Sequence, residues 1–460
     1  MTATEDQITP HVVRTEIGGL PFAYQRSVLR ADPDLLRDTL ADIEAIRQRP
    51  ESKLKDLQLQ PHPHKKPGFL ELTSPVEVDA LAVRDTLRTE GFTGRLEVEP
   101  AYLADDPDGR IMGMPVKHGH GTTRTGIQLV GFAPPGRSGA DLLEAARRPV
   151  VAVLDTPVRE HDWLGDGDGD DAFWRDAGLV EDGWAPDFEV PEESADGQLS
   201  HAGHGTFIAG MVRLLAPDAN VLSVPVMHGN GVVEEEQVLD ALRWLRDRVA
   251  EAVDHGRPER FVDVVNLSFG RYLDPGEDAP FTEEMRTVLG ELSRYGVRVV
   301  ASAGNRAVKD DVFPATLGED KDVPGHTALV SVGARDPDGT LAAYTSIGDW
   351  VTVTAPGTSV VSTLPKFAQT EFPQPGDLDA TGEPTHPDPN FQASGIGQWS
   401  GTSFAAAWVS ASIAAKLLEQ TTPGSLIDNS PAATGARATS AWKAVQADLK
   451  RWVADHGVVD

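Results

Sequence analysis

The sequence predicts an α/β protein, and three observations carry that expectation. Apolar, strand-like runs begin near residues 150, 221, 262, 297, 328 and 351 and alternate with segments of helical character, the pattern of a sheet covered by helices. The first run, Val150 to Leu154, is apolar at every position, as in a strand buried on both faces of a parallel sheet. The chain has 460 residues, 40% of them hydrophobic, which is enough for a large core and too many for one ordinary domain.

Residues 1–147 precede this alternation and read as a small α+β domain. DPDLLRDTLADIEAIRQ, from Asp32, has helical spacing with acids at its start. RPESKLKDLQLQPHPHKK is a polar break. GFLELTS then reads as a strand, PVEVDALAVRDTLRTEG as a helix and GRLEVEPAYL as a strand, with further strands in IMGMPVKHGHGTTRTGIQLVGF. The main domain is expected over 148–420. A Pro/Ser/Ala/Gly-rich linker follows at 421–437. ATSAWKAVQADLKRWVADHG then forms an amphipathic helix with Trp442, Val445, Leu449 and Val453 near one stripe, expected to dock on the core.

Composition excludes several classes of function. A net charge of −30 argues against nucleic acid as a partner, because phosphate binding needs a basic footprint. With no cysteine, disulfides and thiol chemistry are absent. No apolar run is long enough to span a membrane. MTATEDQITPHVVRTEIGG carries acids and no apolar core, so no secretory leader is expected and the chain is expected in the cytoplasm.

The chemistry concentrates in GTSFAAAWVSA, residues 401–411. Ser403 there precedes a run of small residues with helical character, which puts it at a helix N-terminus, where unpaired N–H groups favour developing negative charge. Asp155 ends the first apolar strand, where open α/β sheets place their sites. His204, in HAGHGTFIAGMVRLLA, stands where glycines give way to an apolar helix. Asp, His, Ser is one of the chain orders known for the serine triad. VRVVASAGN, residues 297–305, reads as a buried strand ending in Asn305, whose amide can donate to an oxyanion beside the Ser403 N–H.

Together with VVNLSFG, FPA at 313–315, VSVGARD and VTAPG, in that order, these motifs make residues 148–420 resemble the subtilisin-like serine proteases, or subtilases. The resemblance implies a parallel sheet flanked by helices and an endopeptidase that needs no cofactor and acts on a peptide or protein. It also implies Asp155, His204 and Ser403 as the triad and Asn305 as oxyanion donor. Ser268, Phe269 and Gly270 would form the edge strand that pairs with substrate. Ala303 and Gly304 would line the pocket for the side chain before the scissile bond. By position, residues 1–147 are inhibitory, substrate-recruiting or structural. Two other readings stay open, a catalytically silent peptide-binding fold and an acyl-enzyme transpeptidase; an esterase is disfavoured because Ser403 lacks the G-x-S-x-G elbow.

Three residues depart from the family pattern: Pro157 where DTG is usual, Phe207 after GHGT, and Ala407 where proline is usual after the nucleophile. Ala407 lets the helix close normally and motivates the transpeptidase reading. Two insertions stand out. The acidic one after Asp155 contains DGDGDD, which fails the EF-hand pattern at Asp171 and Ala177 but leaves a looser calcium site at Asp166, Asp168 and Asp170. The other, PKFAQTEFPQPGDLDATGEPTHPDPNFQASGIGQ, is expected to rim the cleft. His118 and His120 in KHGHGTT lack further ligands and read as a polar loop.

Overall fold

The computed structural model describes residues 12–17, 20–63, 65–75, 78–103, 125–126, 133–138, 147–168, 172–180, 183–186, 201–229, 231–272, 279–319, 329–365, 395–420 and 430–456. By its contacts the chain divides into two compact units, residues 1–102 with 274–278, and residues 103–273 with 279–460.

The first unit is α+β, built from β1 (Val12–Ile17), β2 (Leu20–Ala31), α1 (Leu36–Arg47), β3 (Gln58–Pro61), β4 (Phe69–Thr73), α2 (Ala80–Thr89) and β5 (Leu96–Leu103). Its strands pair antiparallel in the order β5-β2-β4-β3, with β1 folded back on β2. Asp79 caps α2 by accepting from the Ala82 N–H at 2.9 Å, so that helix starts at Ala80 rather than at the preceding PVEVD. Ile43 and Ile46 of α1, and Ala80, Val83 and Leu87 of α2, lie at helical spacing and pack on Tyr24, Leu29, Leu70 and Leu96 of the sheet.

The second unit contains β6 (Thr125–Gly126), β7 (Val150–Asp155), β8 (Trp174–Asp176), α3 (His204–Leu215), β9 (Asn220–Pro225), β10 (Val232–Glu234), α4 (Glu235–Asp254), β11 (Val264–Leu267), β12 (Arg271–Tyr272), α5 (Ala279–Arg294), β13 (Arg298–Ser302), β14 (Val312–Phe313), β15 (Val330–Arg335), β16 (Val353–Pro356), β17 (Val360–Thr363), β18 (Ile396–Trp399), α6 (Thr402–Glu419) and α7 (Pro431–Asp455). Seven strands form one parallel sheet in the order β16-β15-β13-β11-β7-β9-β8, flanked by helices. α6 packs on β7, β11, β13, β15 and β16 and against α3, while α4 and α5 pack on each other. The chain builds one side of β7 first, through β8 and β9, and then crosses to β11 and beyond. The carboxyl ends of β7 and β11 therefore flank a topological switch point, where open α/β sheets open a crevice.

Two boundaries differ from the sequence expectation. The first unit ends at residue 102, not 147, because the segment after it is tied to the second unit. β6 pairs with β18, Arg137 donates to the Ala219 carbonyl at 2.8 Å, and the Ser138 hydroxyl donates to Asp218 at 2.7 Å. The last helix starts at Pro431 rather than near 438, because Ser430 caps it and Pro431 suits its first turn. Its buried stripe runs through Ala438, Ala441, Val445 and Leu449, with Trp442 half-exposed. No described helix is long and apolar enough to cross a membrane. His118 and His120, and residues 366–394 of the second insertion, lie outside the described residues.

Gly205 is the tightest junction between β7 and α3. Its N–H donates to the Thr156 hydroxyl at 2.8 Å, and a Cβ there would collide with the Thr156 carbonyl oxygen. Gly205→Ala is expected to cost about 1–3 kcal/mol or more through overpacking, read as a lower midpoint in thermal or urea unfolding. An unchanged midpoint would show that the junction yields.

Candidate active site

Asp155 stands at the last position of β7, fully buried. A buried carboxylate needs donors, and two supply them. The Thr156 N–H donates to Oδ1 at 2.7 Å, and His204 Nδ1 lies 2.8 and 2.9 Å from the two carboxylate oxygens. Because a carboxylate only accepts, Nδ1 carries the proton and Nε2 is left as the ring's acceptor. Gly203, in a left-handed conformation at φ 80°, starts α3 and delivers His204 as its first residue. The imidazole is walled by aromatic rings, with Trp399 edge-on at 5.2 Å and Phe404 at 5.3 Å between centroids. His201 follows at 5.6 Å.

Ser403 is the second residue of α6, so its N–H belongs to the first turn that lacks intrahelical acceptors. Its hydroxyl donates to the Ser268 carbonyl oxygen at 3.3 Å rather than to His204. Phe404, its neighbour in sequence, presents its ring to His204. Hydrogen bonds between a nucleophilic serine and its histidine often tighten only when substrate is bound.

Asn305 follows the end of β13. Its Oδ1 accepts from the Thr402 N–H at 2.8 Å and from the Thr402 hydroxyl at 2.9 Å. An N–H can only donate, so this contact fixes the amide flip and makes Nδ2 the donor end, beside Gly401. The Thr402 hydroxyl also accepts from the Gly304 N–H at 3.0 Å. One threonine thus clamps the 304–305 turn to the start of α6.

Residues 268–270 link β11 to β12. The side chains of Ser268 and Phe269 are buried, and Gly270 is half-buried. Ala303 is buried, and Gly304 takes φ 94°. Val312 faces both glycines. Its Cγ1 lies 2.6 Å from a Cβ built on Gly270, and its Cγ2 lies 3.5 Å from one built on Gly304.

The structure brings Asp155 and His204 into direct contact and sets Asn305 against the helix start that carries Ser403. Sequence reasoning missed Thr402, Trp399 and Phe404 as neighbours of these groups, although Thr402 and Phe404 lie within the motif it singled out and Trp399 just before it. Asp166 and Asp168 sit in an exposed loop where Asp166 accepts from the Asp168 N–H at 3.0 Å, and Asp170 lies outside the described residues. Among the described residues no group of three or more acidic or histidine side chains is arranged to hold a metal ion.

The chain matches the model of the Subtilase family over residues 146–447. It is similar to subtilisin NAT of Bacillus subtilis subsp. natto, 28% identical over 185 residues, which cover 38% of this chain and 42% of that protein. It is equally similar to a thermophilic serine proteinase of Bacillus sp. (strain AK1), 28% identical over 171 residues, or 35% and 36% of the two chains. The matches thus span less than half the length of these relatives. The crystal structure of fervidolysin from Fervidobacterium pennivorans, a keratinolytic enzyme, superposes with a TM-score of 0.46 at 20% identity, covering 89% of this chain and 57% of that one.

One buried histidine near the site gives a pH prediction. The 228–231 turn supports His201, whose N–H donates to the Gly229 carbonyl at 2.8 Å. Burial pushes the His228 imidazole down to about 4. Unfolding raises it toward its ordinary value near 6.5, so between these values the unfolded chain binds a proton that the folded chain does not. Stability from this group is complete above about pH 6.5 and falls toward pH 4 by on the order of 3 kcal/mol. His228→Asn is expected to flatten that part of the stability profile in urea unfolding. An unchanged slope would overturn the assignment.

Proposed function

The chain belongs to the subtilase family, and from that premise we propose that it is a serine endopeptidase whose triad is Asp155, His204 and Ser403. The observation that carries the reading is the buried Asp155–His204 contact, which fixes the tautomer a general base needs, next to a serine on a helix N-terminus. The Ser403 hydroxyl turns from the Ser268 carbonyl to His204 Nε2 and gives up its proton there as Oγ attacks the substrate carbonyl carbon. The oxyanion is held by the Ser403 N–H and by Asn305 Nδ2, which Thr402 has already oriented. Asp155 stabilises the imidazolium. His204 returns the proton to the leaving amine, and water resolves the acyl-enzyme by the same route.

Substrate selection follows from Val312. If Ala303, Gly304 and the 268–270 backbone line the pocket for the side chain before the scissile bond, Val312 fills its floor. The enzyme then prefers small residues at that position.

Three experiments test this reading. A fluorophosphonate probe should label Ser403, with no labelling in Ser403→Ala. Asp155→Asn should lower kcat by about 10⁴, and Asn305→Ala by about 10²–10³, the range known for one such donor in a subtilisin. Absence of labelling in the wild type would favour a silent peptide-binding fold. In peptide libraries Val312→Gly should raise kcat/KM for aromatic over alanine substrates by about 10-fold or more. An unchanged preference would move the pocket elsewhere.

A further inference from the structure

A line of buried polar side chains runs through the seam between β11 and α6, and two of its members, Asn266 and Ser410, take no part in the chemistry described above. Ser410 Oγ donates to Asn266 Oδ1 at 2.9 Å. Asn266 Nδ2 donates to Ser268 Oγ at 2.8 Å. Ser268 Oγ donates to the Ser403 carbonyl at 3.2 Å, and Ser403 Oγ donates back to the Ser268 carbonyl at 3.3 Å. Every member is 0–2% exposed.

The register explains the line. Ser403 and Ser410 are seven residues apart on α6, so they share a face and lie about 10.5 Å apart along it. Asn266 in β11 and Ser268 just past its end are two apart in extended chain, share a face, and lie about 6.6 Å apart. The Asn266 amide spans the difference. An apolar seam here would pack with less cost, since each buried hydroxyl must be matched by a partner. From Ser410 through Asn266 and Ser268 the side-chain donors point toward Ser403, and only the Ser403 hydroxyl donates back.

We propose that Asn266 and Ser410 are positioning residues for the nucleophile. Resting on the endopeptidase reading, the inference is that the relay sets the orientation of Ser268. Ser268 in turn pins the first-turn carbonyl of α6 and holds the Ser403 hydroxyl in its resting rotamer. The relay acts as a unit, since a hydroxyl removed at Ser410 frees the Asn266 amide and, through it, Ser268.

The test is a double-mutant cycle of Ser410→Ala and Ser268→Ala in the full chain. The readouts are the rate constant of fluorophosphonate labelling at Ser403, kcat and KM on a peptide, and the unfolding midpoint. Each single variant is expected to label and turn over about 5- to 20-fold more slowly, with KM within about 2-fold, because small displacements of a nucleophile act on kcat. The double variant should be no slower than Ser268→Ala alone. Ser410→Cys, which keeps a weak donor, should recover part of the loss. Multiplying effects, or a lower midpoint with unchanged labelling, would reduce the line to packing and overturn the proposal alone. A wild-type chain that does not label would overturn the endopeptidase reading and this inference with it.

Discussion

The site depends on one constraint, a carboxylate with no exposed surface at the end of β7. Asp155 is tolerable there only because the Thr156 N–H and the His204 imidazole both donate to it. That requirement propagates outward. Thr156 spends its hydroxyl on the Gly205 N–H, so the turn after β7 and the first turn of α3 become one object. The Thr206 hydroxyl accepts from the Arg159 N–H at 3.0 Å and extends the same lock along the chain. The histidine is therefore not merely near the aspartate. The backbone on both sides is tied by its own buried hydrogen bonds to the arrangement that brings the two together.

The second anchor is the start of α6, where the helix lacks a side-chain cap of its own. Its first N–H turns outward to another element. The Thr402 N–H is taken by Asn305, and the Thr402 hydroxyl joins Asn305 and Gly304. An N-cap side chain serves the N–H of the second or third helical residue, so the Thr402 N–H at the first position needs an acceptor from outside the helix. The Asn305–Thr402 contact supplies it and couples the turn after β13 to the nucleophile's helix. The parallel sheet makes this coupling possible, because β7, β11 and β13 all present their carboxyl ends on the same side.

What was legible in the sequence follows from how far each signal travels. Asp155, His204, Asn305 and Ser403 sit in local patterns that declare strand end, helix start or turn, so their neighbourhoods could be read one motif at a time. The parallel sheet was legible because strands buried on both faces are apolar throughout. Asn266 and Ser410 gave no such signal, since their partnership spans 144 residues and neither is unusual beside its own neighbours. β3 was invisible for the opposite reason. It is exposed on nearly every residue, so QLQP carries no apolar alternation and reads as part of a polar break. The domain boundary was misplaced because the ties of Arg137 and Ser138 reach acceptors about 80 residues away.

The three departures from the family pattern have different weight once the geometry is known. Pro157 removes an N–H between two that are used, since the Thr156 N–H serves Asp155 and the Val158 N–H serves Ser223 at 3.0 Å. The turn loses nothing that the site needs. Phe207 packs against Phe404 at 4.6 Å and Trp399 at 5.7 Å, so it helps build the aromatic wall beside His204. Ala407 is the one that touches the nucleophile's own backbone. It is four residues after Ser403 in an unbroken helix, the spacing at which its N–H addresses the Ser403 carbonyl. That carbonyl is the acceptor Ser268 already uses. Proline at this position would leave Ser268 as its main partner, whereas alanine gives it two. The first turn of α6 is therefore held from the helix side and from β11 together, and the position of Ser403 is set by both.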